Sequence, residues 1–335
     1  MYDACKDIFT TSDDECRELD VKMQQFKKEK QKLTDARTEY NRIIRTEARK
    51  ESYADMIKQL VRTETVPYPY SENKVKAVEF QNNSLLIHLT DIHTGIEIDN
   101  YCNKFNEQVL VGRLLTFCER IKEVQTLHKS ECAYIVIGEI VSGIIHNNLR
   151  LQNNLDLIEQ FKFISEQIAS MLVELSKVFK EIQVYTNPAN HSRISPKKED
   201  ALDGENMDIL LPFYLSAKLQ NYSNVLIMNN TVEPEIAMFY IYDTFVMAAH
   251  GHKDAPSNVV QNFTMLFKKQ PDIVLLGHRH TNGLTTVYDT KVIESGCVSG
   301  TDQYALSIRK ANKPEQTISV INEKGLCCIY DVRLE

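Results

Sequence analysis

The sequence predicts an α/β protein carrying an N-terminal helical, coiled-coil-like segment, and three observations predict it. From Asp14 to Arg62 there is no glycine or proline, and apolar residues recur at heptad spacing. Beyond that stretch, short apolar runs bounded by polar turns alternate with helical stretches, the pattern of a sheet with helices on its faces. Metal-capable side chains then cluster where the apolar runs end. The 335 residues suffice for one substantial domain plus an appendage.

The helical segment comes first. Leu19, Phe26, Leu33 and Tyr40 recur every seven residues, with Met23 and Ile44 at the intervening steps, so a long amphipathic helix or helical hairpin is expected. Such a stripe is a packing seam that needs a partner, and it predicts intramolecular docking or a homodimer. Residues 21–50 hold ten lysines and arginines against four acids, although the whole chain carries −7. This basic leader is suited to nucleic acid or to its own acidic body. Pro67 and Pro69 end helical order, which places a boundary between a leader over 1–65 and a second domain over 66–335.

Within the second domain, buried strands are expected at 84–89, 133–137, 182–185, 224–228, 245–249 and 273–276, and helices over 105–128, 155–180 and 205–220. Composition is that of a globular protein, with 43% hydrophobic and 25% charged residues, which excludes collagen-like and wholly disordered chains. No apolar run approaches the roughly 18 residues of a membrane helix. The first residues lack the basic-then-apolar order of a signal peptide, so a cytoplasmic location with no membrane partner is expected. The eight cysteines include no C-x-x-C pair, and Cys327 and Cys328 are adjacent, which reads as reduced thiols.

Function is legible at the strand ends. The apolar runs finish in Asp91-Ile92-His93, Gly138-Glu139, Asn190-His191, His250-Gly251-His252 and Gly277-His278-Arg279-His280. In an α/β sheet the carboxyl ends of the strands share one edge, where ligands bind, so residues remote in sequence can converge there.

In this order the motifs resemble those of the calcineurin-like metallophosphoesterase superfamily, D-x-H, G-D, G-N-H, H and G-H-x-H, over about residues 80–300. The layout is most similar to the phage and prophage branch. The resemblance implies an αββα sandwich of two mixed sheets flanked by helices. It implies two divalent cations, manganese foremost with iron, zinc or nickel compatible, that stabilise charge on the phosphate oxygens and lower the pKa of a water. It further implies one ion held by Asp91, His93, Glu139 and His280, and another held by Glu139 with Asn190, His250 and His278. His191 would be the catalytic residue, stabilising the transition state or protonating the leaving oxygen. His146 and His252 are candidates for the rim and substrate contact, and Arg193, with Lys197 and Lys198, for a substrate phosphate. His88 reads instead as a core histidine and His128 as solvent-facing.

Two positions depart from the family pattern. Glu139 stands where the family has Asp, adding a methylene to a bridge whose geometry must hold within about 0.5 Å. Ala189 stands where the family has Gly, and a positive φ there would strain it. Ser142 takes the place of the second Asp in the longer phosphoprotein-phosphatase form, which favours a phosphodiester substrate, nucleic acid or nucleotide, over a phosphoprotein. A metal-dependent phosphodiesterase or nuclease is therefore expected. The alternative is a catalytically weakened protein that binds metal and phosphate, and Glu139 leaves both open.

Overall fold

The computed structural model describes residues 18, 21–41, 43–44, 55, 66–69 and 80–335, apart from 146 and 203. The chain divides into two compact units, Met1–Thr63 and Glu64–Glu335. In the first, residues 21–41 form a helix (α1) on which Met23, Phe26, Leu33 and Tyr40 are each more than half exposed. Leu19, the first residue of the heptad stripe, lies outside the described residues.

The second unit is built on two mixed sheets. The larger contains β1 (Gln81–Leu89), β4 (Ser130–Gly138), β5 (Glu181–Asn187), β6 (Val225–Ile227), β12 (Glu315–Asn322) and β13 (Gly325–Arg333), in the order β13-β12-β1-β4-β5-β6. Strands β1, β4, β5 and β6 run parallel, and β12 and β13 are antiparallel additions. The smaller contains β7 (Ala237–Ile241), β8 (Thr244–Ala249), β9 (Ile273–Leu276), β10 (Gly283–Val287) and β11 (Thr290–Glu294), in the order β10-β11-β9-β8-β7, with β8, β9 and β11 parallel. A short hairpin of β2 (Ile98–Asp99) and β3 (Lys104–Phe105) precedes the first long helix.

Alternation along the strands decides what lies between the sheets. Leu86, Val136 and Tyr185 of the larger sheet pack against Phe239, Ile241, Ala248, Leu275 and Ile293 of the smaller. Phe239 is stacked on Tyr185 at 4.1 Å and on Tyr134 at 5.8 Å between ring centroids, so aromatic rings join the two layers. The outer faces are covered by helices. Helices α2 (Glu107–His128) and α5 (Met207–Lys218) lie against the larger sheet, α4 (Leu157–Ser176) packs on both, and α6 (Val259–Phe267) buries Val259, Val260 and Phe263 on Val274 and Leu276. Two short helices, α3 (Asn147–Gln152) and α7 (Gln303–Ser307), lie in loops. This is the αββα sandwich expected from the motifs.

The helix starts are specified locally. Asn106 caps α2 through Val109 N–H, and Asp156 with Glu159 forms a capping box on α4. His128, expected in solvent, is half-buried at the end of α2 and lies 2.6 Å from the Tyr330 hydroxyl of β13, because the antiparallel addition brings that strand over the helix end. His88 is in the core, 2% exposed. Among the described residues no helix is long and apolar enough to cross a membrane.

Phe239 is the test of how the sheets are joined. Phe239→Ala should cost about 3–5 kcal/mol in chemical denaturation, the usual range for an aromatic truncated in a core. A cost below about 1 kcal/mol would mean that the aromatic stack does not hold the layers together.

Candidate metal centre

All five motifs leave carboxyl ends of parallel strands: Asp91 and His93 after β1, Glu139 after β4, Asn190 and His191 after β5, His250 after β8, His278 and His280 after β9. The backbone there is bent hard. Asp91, His93, Glu139, His278 and His280 all have φ between 49° and 70°, a left-handed region that side chains other than glycine seldom enter. Each such residue costs of order 1–3 kcal/mol, which the surrounding structure must offset. What it gains is that each side chain turns back over the strand ends rather than away from them. Ala189 is not among the left-handed residues; its N–H donates to Asp208 Oδ2 at 2.9 Å, so the strain expected from replacing glycine does not arise.

Asp91, His93, Glu139 and His280 form one tight group whose ligand-capable atoms lie within 4.8 Å of one another. His93 Nε2 and His280 Nε2 face each other at 3.1 Å, and Asp91 Oδ1 is 3.2 Å from His280 Nε2. Two imidazole nitrogens cannot share that space with their lone pairs opposed unless a proton or a cation lies between them. Glu139 links this group to the next. Its Oε1 accepts the His191 backbone N–H at 3.1 Å, while Oε2 is buried without a hydrogen-bond partner, 3.5 Å from His93 Nε2 and 3.3 Å from His250 Nε2. His250 Nε2 is in turn 3.1 Å from Asn190 Oδ1. A buried carboxylate oxygen set between two imidazoles without a well-formed hydrogen bond fits a cation, and the carboxylate, imidazole and carboxamide donors suit a first-row divalent ion.

The remaining candidates are placed less closely. His278 lies outside the four-residue group; its ring is 5.1 Å from that of His250, and its backbone N–H donates to Asp91 Oδ2 at 3.0 Å. His252 sits 5.5 Å from His250 with Nδ1 buried and unpaired, and burial pushes its imidazole down to about 3. Arg193 donates to the Ser195 and Pro196 carbonyls of its own loop at 3.0 and 3.3 Å. His146 lies outside the described residues. His191 donates from Nδ1 to the Ser142 carbonyl at 3.1 Å, and its ring meets that of His93 edge-on at 4.9 Å. Since a carbonyl only accepts, this bond fixes the tautomer, with Nε2 as the ring atom that exchanges a proton. The position that in the longer motif carries an Asp thus contributes here through its backbone.

Several supporting residues carry no signal in the sequence. Asp208, in the first turn of α5 and fully buried, accepts N–H bonds from Glu139 at 3.3 Å, Ile140 at 3.2 Å and Ala189 at 2.9 Å, and so holds the second and third motifs together. Burial raises its carboxyl to about 6. Gln316 of β12 bonds both the N–H and the carbonyl of Thr90, whose hydroxyl donates to Asp91 Oδ2. Space for a side chain is lacking next to the site at Gly277, where a Cβ would lie 2.5 Å from Asp91 Oδ2, and at Gly143, where φ is +72° and a Cβ would lie 2.0 Å from the His191 carbonyl.

The charges are mutually dependent. Burial opposes the charged form of Glu139, yet His250, His191 and His93 hold its carboxyl well below the ordinary range. Burial likewise opposes protonation of His250, and the Glu139 carboxylate overrides it, lifting the imidazole to about 8. Burial drives His93 well below its ordinary value.

No protein-family model matches the sequence, and neither does any curated protein. Among solved structures the chain is similar to an archaeal phosphodiesterase, with TM-score 0.36 and 13% identity over 74% of this chain and 99% of that one. It is also similar to Vps29 of Entamoeba histolytica complexed with zinc, at 0.33 and 10% over 75% and 99%, and to vacuolar protein sorting 29 of Cryptosporidium parvum, at 0.34 and 13% over 76% and 93%. These likenesses are low, and the fold rests on the strand order and inter-sheet core of the chain itself.

Two outcomes follow from this geometry. Gly143→Ala, which combines φ +72° with the clash on His191, should lower stability by about 1–3 kcal/mol in chemical denaturation; wild-type stability would mean the loop yields freely. In the metal-free chain, His250 has a folded pKa above its ordinary 6.5. Its contribution to stability is therefore fully present below pH 6.5 and is lost as pH rises through about 8, where the imidazolium facing Glu139 deprotonates. A thermal unfolding series across that window should show the fall, and His250→Gln should flatten it.

Proposed function

We propose that this chain is a metal-dependent phosphoesterase, acting on a phosphodiester such as nucleic acid or a nucleotide. The observation that carries the reading is Glu139 Oε2, buried, without a well-formed hydrogen bond and placed 3.5 Å from His93 Nε2 and 3.3 Å from His250 Nε2. Asp91, His93, Glu139 and His280 would hold one divalent ion, and Glu139, Asn190 and His250 a second, with His278 turning in to complete it; manganese is the first choice. Such ions would supply Lewis acidity to the phosphate and lower the pKa of the attacking water. The chain's own contribution is positioning. Asp208 locks the Glu139 and Asn190 loops, and the Ser142 carbonyl accepts His191 Nδ1–H, so that Nε2, once it has taken up a proton from solvent, would pass that proton to the departing oxygen. The basic residues around α1 favour a polyanionic substrate, and the likeness of the layout to phage and prophage enzymes agrees with a nucleic-acid substrate in the cytoplasm, as do the dispersed thiols.

Hydrolysis of bis(p-nitrophenyl) phosphate with manganese, run beside His191→Ala and Glu139→Asp, tests the reading. Wild-type turnover should fall at least about 100-fold in His191→Ala, the usual contribution of a general acid, while metal content stays at the wild-type level. Metal uptake with no turnover by the wild-type chain, restored in Glu139→Asp, would instead establish the metal- and phosphate-binding alternative. A chain that takes up no metal would contradict both.

A further inference from the structure

The inner faces of five strands can be followed one step past the core. Leu86, Val136, Tyr185, Ala248 and Leu275 all belong to the apolar cluster between the sheets. Two residues on, where the same face recurs, stand His88, Gly138, Asn187, His250 and Gly277. The layer between the apolar core and the metal centre is therefore made of two imidazoles, one carboxamide and two glycines that contribute no side chain. Gly138 and Asn187 are direct neighbours in the β4–β5 register.

This layer is dry to bulk solvent and unsatisfied. His88 is 2% exposed, Asn187 1% and His250 2%. Yet His88 Nδ1, His250 Nδ1 and both the Oδ1 and Nδ2 atoms of Asn187 are buried with no hydrogen-bond partner in the protein. Protein interiors pair more than nine in ten such groups once ordered water is counted, so four neighbouring atoms without a protein partner point to solvent as the missing partner. Because Asn187 lacks partners at both ends, reversing its amide does not cure the deficit.

We infer that the layer of His88, Asn187 and His250 is a built internal solvent site, holding roughly one or two ordered waters that bridge His250 Nδ1 to His88 and Asn187. The consequence reaches the metal centre. His250 Nε2 faces Glu139 Oε2 and Asn190 Oδ1, so a neutral His250 that offers Nε2 to a cation must carry its proton on Nδ1. That N–H needs an acceptor, and the water supplies it. His88 and Asn187 are thus positioning residues acting on His250 through solvent. The inference rests on the reading of His250 as a metal ligand given above.

The test uses the full chain. An atomic-resolution crystal structure should show ordered water within hydrogen-bond distance of His250 Nδ1 and of His88 Nδ1 or Asn187, with or without zinc in the crystals. Zinc titration of His88→Leu and Asn187→Leu should show one of two binding events, that of the ion His250 would hold, weakened about 10-fold or more, the other unchanged, and the melting temperature of the metal-free protein not lowered. His88→Gln, which keeps a polar atom in the layer, should restore binding to within about threefold of wild type, well inside the loss expected when such a partner is removed. A structural role alone would lower the melting temperature and leave zinc binding intact, and that result overturns the inference. So does a dry layer in which these side chains bond directly to one another. If the wild-type chain binds no zinc but the water is present, the functional reading falls and the positioning role falls with it, whereas a dry layer in a zinc-binding chain sinks the solvent site alone.

Discussion

The site depends on one carboxylate whose two oxygens are treated differently. Glu139 has Oε1 bonded to the His191 backbone and Oε2 left unbonded between His93 and His250. In a fully buried position an unpaired carboxylate oxygen is costly, and the imidazoles around it lower that cost by electrostatic attraction. The arrangement persists because the residues on either side of Glu139 have nowhere else to go. The Asp208 carboxylate accepts the N–H groups of Glu139 and Ile140, while the Glu139 carbonyl accepts from Ile92 N–H.

Strain at the strand ends is the second constraint, and it explains the supporting cast. Five site residues in the left-handed region would relax if their loops could move. They are held by side chains from elements far away in sequence: Gln316 on Thr90, Asn312 on the His280 carbonyl, Asp208 on the β4 and β5 loops. Arg113, buried in α2, donates to the Val298 and Ser299 carbonyls, and Val298 N–H reaches the Asp91 carbonyl. The antiparallel strand β12 is thus more than an edge, since it delivers Gln316 beneath the first motif.

Much of this was legible beforehand because buried parallel strands write themselves as uninterrupted apolar runs, and all six expected strands are present. The remainder was hidden for identifiable reasons. Strand β12 reads as mixed because Gln316, Thr317 and Ser319 are buried polar groups, of which Gln316 bonds through its side chain to Thr90 next to the first motif and to the Gly296 carbonyl. Hairpins β7–β8 and β10–β11 turn on Tyr242-Asp243 and Tyr288-Asp289, with positive φ at Tyr242, Tyr288 and Asp289, instead of the Asn-Gly or Asp-Gly pairs that mark such turns. Asp208 looks like any acid in the first turn of a helix. The motifs contain the residues that the fold gathers into the tight group, but they could not convey that His278 would use its backbone on Asp91, or that Arg193 would spend its guanidinium on its own loop.

The proposal that Glu139 would contribute to the sites of two ions is tested most directly by electron paramagnetic resonance of the manganese-loaded chain. With two equivalents bound, a shared carboxylate should give a spin-coupled spectrum that collapses to that of isolated manganese in Glu139→Gln. Two uncoupled signals in the wild-type chain, unaltered by that substitution, would contradict the account.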